Sequence, residues 1–397
     1  MDRTAHPLEN RSAGSPLWRT VSSLLRRRSW RDRITELLAA ADVRVDGVRP
    51  WDLRVRDERF FPALFTGGSL ALGESYVAGW WEAEAIDELV CRLLAADLEH
   101  QIVSWRALPV AAAARIENAL HAKRDAFDIG AHHYDIGNDL YARMLGEPIC
   151  YSCGYWRQAE TLEDAQRAKL ALVCRKIGLQ PGDRVLDIGC AWGSFAHYAA
   201  TTYGAEVVGV TVSDEQLRWA RALCEGLPVE IRLQDYRDVD EPFDHIVSIG
   251  MFEHVGPKHY RTYMEVAHRS LGDGGVFLLH TIGTNVSESH IDPWMHRHIF
   301  PNAVLPSIRQ IGEAIEGLFV MEDWHNFGPY YARTLRSWLD RFDQAWPDLE
   351  PRFGQRFYRM WRYYLLACAG TFLSRTNQLW QIVLAKQPPA RCYETVR

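Results

Sequence analysis

Residues 184–193 read RVLDIGCAWG, an apolar run of strand length that leads directly into two glycines four residues apart. Four similar runs follow it, separated by stretches with helical periodicity: EVVGVTV (206–212), VEIRLQD (229–235), HIVSIG (245–250) and GVFLLHT (275–281). Near-continuous apolar runs are typical of buried parallel strands, and their alternation with helices predicts a doubly wound α/β sheet. Two later runs, 317–323 and 379–385, are predicted to close the edge of that sheet, with an aromatic-rich helical stretch between them.

Residues 187–193 lie where an open α/β sheet binds its ligand, outside the carboxyl end of a strand. They match neither the G-x-G-x-x-G of dinucleotide-binding proteins nor the Lys-Ser/Thr of a phosphate-binding loop. Gly189 and Gly193 let the backbone approach a ligand closely, and Asp187 provides an anion for a cationic sulfonium or its amino group. A tight strand-to-helix turn without a ligand also explains this pattern, so the segment alone leaves both interpretations open.

Polar side chains also follow the next two strands. Thr211, Ser213 and Gln216 offer two hydroxyls and an amide where many nucleotide-binding folds place an acidic residue for the ribose. Residues 234–236 (QDY) follow the third strand and suit an adenine amine and its flat ring. A helix cap or a turn explains each group equally well when it is taken alone. As a series along one sheet edge, these residues predict a nucleotide-containing ligand.

The fourth strand ends in GMFEHVG (250–256), which contains Glu253, and the fifth ends in HTIG (280–283), which begins with His280. A carboxylate and an imidazole from neighbouring strand ends would stand beside the predicted ligand, where a reacting carbon needs an acid or a base. A surface glutamate and a hydrogen-bonded core histidine are the structural alternatives. We predict that both residues are acid–base groups.

The N-terminal third of the chain has a different pattern. Residues 30–120 are predicted to form a small, mainly helical accessory domain that precedes a larger domain at 121–397. Trp80 and Trp81 look exposed in it and are candidate membrane contacts. Residues 1–29 are predicted to be a flexible basic arm, since residues 1–33 hold eight arginines and three acidic residues. Such an arm suits an anionic membrane surface, and equally a solvated tail.

The composition excludes several classes of protein. A net charge of −6 argues against nucleic-acid binding. No apolar stretch reaches the ~20 residues of a spanning helix, and arginines interrupt every apolar run near the N-terminus, unlike a signal peptide. Eight cysteines without regular spacing predict free thiols in a reducing cytoplasm. Cys150 and Cys153 lack a second pair that would complete a zinc site, so no metal is expected.

Eleven strings between about residues 30 and 385 carry a family resemblance: LALGESYVAGWWE (70–82), HHYDIGNDLY (132–141), YSCGYW (151–156), VLDIGCAWG (185–193), VGVT (208–211), QDYRD (234–238), SIGMFEHVGPKHY (248–260), LLHTIG (278–283), DPWMHRHIFPNAVLPS (292–307), EDWHNFG (322–328) and ACAGTF (367–372). In these strings the chain resembles the bacterial cyclopropane-fatty-acyl-phospholipid synthases, relatives of the mycolic acid cyclopropane synthases. The resemblance implies a Rossmann-like methyltransferase domain that uses S-adenosylmethionine, with a smaller N-terminal domain.

The resemblance also implies the reaction and its setting. A methylene group would pass from S-adenosylmethionine to the double bond of an unsaturated acyl chain in a membrane phospholipid. A bicarbonate ion would be held in the active site. The protein would be a cytoplasmic homodimer, associated peripherally with the inner face of the cytoplasmic membrane.

Site residues follow from the resemblance position by position. Those implied to contact the cofactor are Tyr151, Ser152, Asp187, Gly189, Cys190, Ala191, Trp192, Gly193, Thr211, Ser213, Gln216, Gln234, Asp235 and Tyr236. Those implied to hold bicarbonate are Cys153, Glu253, His280, Ile282 and Tyr331. Cys368 joins Glu253, His280, Tyr331 and Cys153 in the implied catalytic set. Its apolar, helical surroundings instead predict a buried thiol with a raised pKa and no nucleophilic role.

One residue departs from the family pattern. The family usually has G-C-G-W-G where this chain has G-C-A-W-G, so Ala191 adds a methyl group beside the cofactor. A negative φ at Ala191 would make that methyl harmless, whereas a positive φ would weaken cofactor binding.

Three other functions stay open. The enzyme could add a methyl or methylene branch without closing a ring, or it could methylate a small amine. A catalytically inactive lipid-binding protein would need a broken cofactor loop, and only Ala191 points in that direction.

Overall fold

The computed structural model describes residues 29–98, 137–288, 290–386 and 392–397. Five elements lie in the first of these ranges: α1 (Trp30–Ala40), β1 (Arg54–Val55), α2 (Phe60–Val77), β2 (Trp81–Glu82) and α3 (Ile86–Ala95). The two strands are short and pair antiparallel. Most of the residues in these five elements are helical, as the periodicity predicts. The proposed domain boundary near residue 120, the helical connector and residues 1–28 of the arm fall outside the described residues.

The remaining described residues form an α/β unit. Its helices are α4 (Asn138–Leu145), α5 (Leu162–Ile177), α6 (Ser194–Tyr203), α7 (Asp214–Leu223), α8 (Tyr260–Ser270), α9 (Pro293–His298), α10 (Ile308–Ile315) and α11 (Pro329–Leu373). Its strands are β3 (Arg184–Ile188), β4 (Glu206–Thr211), β5 (Val229–Leu233), β6 (Phe243–Ile249), β7 (Leu271–Thr284), β8 (Phe319–Asn326) and β9 (Asn377–Lys386). No helix in these ranges is both long and apolar enough to cross a membrane.

The seven strands form one sheet in the order β5-β4-β3-β6-β7-β9-β8. The first five of these neighbours pair parallel, which confirms the strands predicted from the apolar runs. The late pair differs in detail from the prediction, since β9 lies antiparallel between β7 and β8 and only β8 forms the edge. The chain leaves β3 toward β4 and later returns on its other side at β6, so the ligand-binding switch point lies at the end of β3.

Alternate strand residues divide the core into two layers. Val185 and Val247 pack with α5, α6 and α7 on one face of the sheet. Leu186 and Ile246 pack with α8 and α10 on the other face. Side chains alternate between the two faces of a sheet along each strand. A strand that is covered by helices on both faces therefore needs apolar residues at every position. This requirement explains the near-continuous apolar runs.

Helix α11 folds back on itself and connects the two parts of the molecule. Gly354 has φ 71° and divides the helix in two, and the Phe342 ring stacks on Tyr358 with 5.7 Å between ring centroids. A Cβ at Gly370 would lie 2.7 Å from the Asp87 carbonyl oxygen, so only glycine allows this approach of α11 to α3. Residues of α1, α2, α3 and α11 share one continuous apolar cluster.

The exposure predicted for the Trp80–Trp81 pair is wrong for Trp81. Its side chain is 0% exposed, and its indole N–H reaches the Leu72 carbonyl oxygen at 3.1 Å. Trp81 points inward because it lies on a strand between the apolar faces of α2 and α11, in ring contact with Tyr76 and Tyr363. Trp80 is half-buried with the Arg59 guanidinium 4.5 Å from its ring centroid.

A buried ion pair joins α5 to β8. Lys176 is 0% exposed, and its Nζ donates to Asp323 Oδ2 at 3.0 Å. The Arg397 guanidinium donates to both oxygens of the same carboxylate at 2.6 Å. Burial lowers the pKa of Lys176 to about 8, and the bond to Asp323 opposes that shift. The chain therefore contains the counter-ion that this buried lysine needs.

Candidate active site

The turn from β3 into α6 has the conformation that a close-approach loop requires. Gly189 has φ 82°, and a Cβ there would lie 2.7 Å from Met251 Cγ. The backbone N–H groups of Gly189 and Cys190 both donate to the Val210 carbonyl oxygen, at 3.0 and 3.1 Å. Trp192 is buried and donates from Nε1 to Asn138 Oδ1 at 2.9 Å. The loop is thus fixed between β4, α4 and the segment that follows β6.

Ala191 adopts the left-handed conformation, with φ 47°. This is the unfavourable of the two cases distinguished from the sequence. A side chain in this region costs about 1–2 kcal/mol, and glycine would avoid that cost.

We expect Ala191→Gly to increase the free energy of unfolding by about 1 kcal/mol and to tighten S-adenosylmethionine binding several-fold. Denaturant unfolding and calorimetric titration measure the two effects. Ala196→Gly is the control, because Ala196 lies inside α6 and is buried. There glycine should destabilise the helix by about 1 kcal/mol. A destabilised Ala191→Gly protein would contradict the assignment of strain to this residue.

Asp187 stands at the end of β3 with an unused oxygen. The residue is 2% exposed, and its Oδ2 has no hydrogen-bond partner among the described residues. Burial raises the pKa of Asp187 to about 7, and the nearby Lys169 opposes that shift. A buried acceptor without a donor is costly, so this carboxylate fits a cationic or hydrogen-bonding ligand.

The polar residues after β4 and β5 are held mostly by one another. Thr211 Oγ1 donates to Gln216 Oε1 at 2.9 Å, and the Ser213 side chain caps α7. After β5, Asp235 pairs with Arg237 at 2.6 Å, and Gln234 Nε2 donates to the Asp238 carbonyl oxygen at 2.9 Å. The Tyr236 ring lies 5.0 Å from that of Tyr263. The structure therefore brings the predicted series to one sheet edge, and much of its hydrogen-bonding capacity is used locally.

Glu253 combines burial with an open oxygen. Its Oε1 accepts from the backbone N–H of Ile282 at 2.7 Å, while its Oε2 has no partner in the described part of the chain. Burial raises the pKa of Glu253 to about 7, with the Ile282 N–H opposing the shift. A carboxyl with this pKa can take up or release a proton near neutral pH. The backbone N–H of Ile282, a residue that the resemblance implies to hold bicarbonate, here orients Glu253.

His280 is held in a defined tautomer. It lies opposite Gln381 across β7 and β9, and Gln381 Nε2 is 3.3 Å from His280 Nδ1. Because an amide nitrogen is a donor, Nδ1 accepts and the proton is assigned to Nε2. Burial lowers the pKa of His280 well below its usual range. At neutral pH the site therefore contains a neutral imidazole.

Aromatic rings form a wall opposite these groups. The Tyr331 ring stacks on Phe372 with 4.6 Å between centroids, and the Tyr151 hydroxyl lies 2.7 Å from that of Tyr364. Tyr331 also lies within electrostatic range of Glu253 and of Cys153, and burial raises its pKa well above the usual value. The wall is largely buried and rich in ring faces, which suits an acyl chain or a developing cation.

The two candidate thiols are poor nucleophiles. Cys153 is fully buried with Sγ 3.7 Å from Thr334 Oγ1, and burial raises its pKa. Cys368 is half-buried rather than buried, and desolvation raises its pKa to about 12. Both residues remain thiols at neutral pH, so they contribute shape and hydrogen bonding rather than attack.

Sequence reasoning missed three residues of this site. Lys169 is buried on α5 with Nζ 3.0 Å from Ser152 Oγ. Thr334 Oγ1 accepts from the backbone N–H of Gly154 at 3.1 Å, and Gln381 contacts His280. Lys169 alone gave a usable signal, because it lies on the helix face that also carries the buried residues Ala165 and Val173.

The family of the chain follows from comparison with known proteins. Residues 121–382 match the sequence profile of the family described as mycolic acid cyclopropane synthetase. The chain belongs to the mycolic acid cyclopropane synthetase family. The family named from the sequence strings is thereby confirmed, and with it the enzyme class and the Rossmann-like methyltransferase fold.

Full-length and structural relatives agree with this assignment. The cyclopropane-fatty-acyl-phospholipid synthase of Escherichia coli K12 is 50% identical over 359 residues, covering 90% of this chain and 94% of that protein. The cyclopropane synthase MmaA2 from Mycobacterium tuberculosis is 32% identical, with a TM-score of 0.61 over 66% of this chain and 98% of that one. The mycolic acid cyclopropane synthase CmaA1, solved with SAH and CTAB, has 32% identity and a TM-score of 0.59, covering 66% of this chain and 98% of that one.

The match to the Escherichia coli synthase is longer than the segment 121–382, so it includes residues outside the family profile. The mycolic acid enzymes match about two thirds of the chain. Within its family, this chain is therefore similar to the phospholipid synthases over more of its length than to the mycolic acid enzymes.

Proposed function

We propose that this family member is a cyclopropane-fatty-acyl-phospholipid synthase, which transfers a methylene group from S-adenosylmethionine to the double bond of an unsaturated acyl chain. The proposal depends on one observation above all. Glu253, buried and with an open Oε2, lies in electrostatic range of Tyr331 in the aromatic wall. The 50% identity to the Escherichia coli synthase supports the phospholipid as substrate.

The residues at the sheet edge fit S-adenosylmethionine as the methyl donor. Asp187 Oδ2 is a buried acceptor without a donor, which suits the cationic amino group of the methionine part. The loop at 189–193 lets the backbone pass close to the ligand, and Tyr236 provides a ring face for adenine. The structure of CmaA1 with SAH supports a donor of this class in the family.

An isolated alkene is a weak nucleophile, so the methyl group must be held in line with it in a site without water. When the alkene carbon attacks, the carbon–sulfur bond breaks, S-adenosylhomocysteine leaves and a positive charge develops on the acyl chain. The ring faces of Tyr331, Phe372 and Trp338 stabilise such a charge without reacting with it. Ring closure then requires the loss of one proton from the transferred methyl.

In our proposal, Glu253 and His280 accept or relay that proton. Glu253 Oε2 has an open acceptor position and a pKa of about 7, and His280 presents a neutral N–H. A bicarbonate ion, if bound between these groups and Tyr331, would supply the immediate base. Cys153 and Ile282 complete the residues that we propose line this position.

Two related reactions use the same fold. Methyl or methylene branching would add a carbon to the acyl chain without closing a ring. Amine methylation needs no buried base. The set of Cys153, Glu253, His280, Ile282 and Tyr331 supports ring closure over both alternatives.

Incubation with S-adenosylmethionine and unsaturated phospholipid vesicles tests the proposal. We expect the acyl chain to gain one CH₂ in the mass spectrum and to show cyclopropane proton signals in NMR. A product that keeps its olefinic protons would overturn ring formation. Saturated phospholipid of the same head group is the control, and it should give no product.

We also propose peripheral contact with a bilayer, through the basic arm and the region around Trp80. The same vesicles test this contact. Removal of residues 1–29 should weaken binding to anionic vesicles and leave turnover on detergent-dispersed lipid unchanged. If the shortened protein binds anionic vesicles as well as the full chain does, the basic arm makes no electrostatic contribution to binding. The homodimer stays a prediction, and sedimentation of the purified chain measures it.

A further inference from the structure

Helix α5 carries two buried lysines, and only one of them has a carboxylate partner in the described chain. Lys176 and Lys169 are 0% and 1% exposed, and they lie seven residues apart, about two helical turns. Lys176 has Asp323 as its counter-ion at 3.0 Å. Lys169 donates to the neutral hydroxyl of Ser152 at 3.0 Å, and within residues 29–98, 137–288, 290–386 and 392–397 no carboxylate oxygen lies within 4.0 Å of its Nζ.

A buried ammonium without an anion is costly, because burial removes water that the charge would otherwise bind. A side chain in this position is expected to have a partner that completes it. An ammonium has three donors, and the contact with Ser152 uses one of them. The position therefore has the capacity to bind an anion that the described chain does not supply.

A buried carboxyl group that lacks a hydrogen-bond donor belongs to the same site. Asp187 is 2% exposed and its Oδ2 has no donor in the described chain. Lys169 lies close enough to oppose the rise in the pKa of Asp187 that burial causes, but the two groups do not form a direct ion pair. A lysine and an aspartate are thus both buried here, and in the described chain each has hydrogen-bonding capacity that is not used.

The elements around these charges are fixed in place. Gln166 lies one turn before Lys169 on α5, and its Nε2 donates to the Ser152 carbonyl oxygen at 2.8 Å. The Ser152 hydroxyl accepts from Lys169, so its own proton is free to donate elsewhere. This arrangement presents an ammonium and a hydroxyl side by side, which together match the two oxygens of a carboxylate.

We propose that Lys169 and Ser152 bind the α-carboxylate of the methionine part of S-adenosylmethionine, while Asp187 accepts a hydrogen bond from its α-ammonium. A zwitterionic α-amino acid supplies one charge to each of the two groups. The inference rests on the proposed use of S-adenosylmethionine by this chain. It names a cofactor-binding residue, Lys169, that the family resemblance did not supply.

Binding of two ligands separates this role from a structural one. Calorimetric titration compares S-adenosylmethionine with its decarboxylated form, which retains the amino group and the sulfonium. We expect the unsubstituted protein to prefer S-adenosylmethionine by about 10- to 100-fold, the range for a charge-assisted hydrogen-bonded pair. Lys169→Met should bind the two ligands with similar affinity.

Two further variants keep the test decisive. Lys176→Met removes the other buried lysine of α5 and should keep the full preference, since Asp323 is its partner. Ser152→Ala retains the ammonium and should lose part of the preference, which gives a second reading if Lys169→Met fails to fold. A preference unchanged in both Lys169→Met and Ser152→Ala would overturn the inference alone. A protein without substitutions that binds neither ligand would overturn the proposed function as well.

Discussion

Glu253→Gln should lower kcat by about 10²- to 10⁴-fold, the range for loss of a general acid–base group, without weakening S-adenosylmethionine binding. Glutamine keeps the side-chain oxygen that accepts from the Ile282 N–H at 2.7 Å, so the loop after β6 retains its conformation. It cannot accept the proton released before ring closure. Steady-state turnover on unsaturated vesicles and calorimetric titration of the cofactor measure the two properties separately.

The pH dependence provides an independent reading of the same group. Burial raises the pKa of Glu253 to about 7, so the proton-accepting form decreases as the pH falls below 7. Turnover of the unsubstituted protein should therefore rise with pH through this region, and the residual turnover of Glu253→Gln should not. Glu215→Gln, an exposed carboxylate on α7, is the control and should behave like the unsubstituted protein. Full turnover in Glu253→Gln would remove this residue from the mechanism.

Asp323→Ala should lower the free energy of unfolding by about 3–5 kcal/mol, because it leaves a buried cation without its partner. Lys176 is 0% exposed, and the same carboxylate also binds Arg397. Neutralisation of Lys176 limits the loss. From its native pKa of about 8, Lys176 loses its proton at pH 7 at a cost of about 1.4 kcal/mol, so the rest of the loss comes from the bonds between Asp323 and Arg397.

The sign of the pH effect distinguishes this cause from a packing defect. In the native state burial already lowers the pKa of Lys176 to about 8, and loss of Asp323 lowers it further. The variant then releases the proton of Lys176 at a lower pH than the unsubstituted protein does. The stability difference between the two should therefore shrink as the pH rises toward 8 and stay constant above it. Lys176→Met, which leaves Asp323 paired with Arg397, should cost less, and an equal loss in both variants would contradict the argument.

The sheet could be predicted from the sequence because each of its central strands is buried on two faces. Val185 and Leu186 face different helix layers, so both must be apolar and the strand reads as a continuous run. The order of the last two strands was not predictable in this way. An apolar run does not record its neighbours, and β9 pairs with both β7 and β8 only after α11 has brought it back to the sheet.

Trp81 and Lys169 mark the limits of local reasoning about burial. Trp81 follows Gly79 and Trp80 in the sequence, a context that suggests a surface loop, but Tyr363 covers it from the other end of the chain. Lys169 lies on the buried face of α5, but its partner Ser152 lies on the segment before that helix, and helix periodicity does not reveal the partner. Both depend on contacts between segments whose proximity the sequence does not encode locally.

The strand-end residues of the site were found because topology brings strand ends together. Asp187 lies near the end of β3, His280 lies in the second half of β7 and Glu253 follows β6. These strands are parallel neighbours in one sheet, so the convergence of the three residues could be expected. Their partners could not, since Gln381 comes from an antiparallel strand and Tyr331 from α11. The roles assigned to the site residues remain predictions that the variants above test.

Helix α11 ties the two parts of this protein together in space. Arg336 and Arg359 of α11 pair with Asp87 and Glu82, at 2.5 and 2.8 Å, on the same helix that carries Tyr331 of the aromatic wall. A change of charge on one side of this junction would leave its partner on the other side unpaired. Exchange of residues 29–98 between relatives is therefore not modular, and a chain shortened to 121–382 would need a redesigned polar surface along α11.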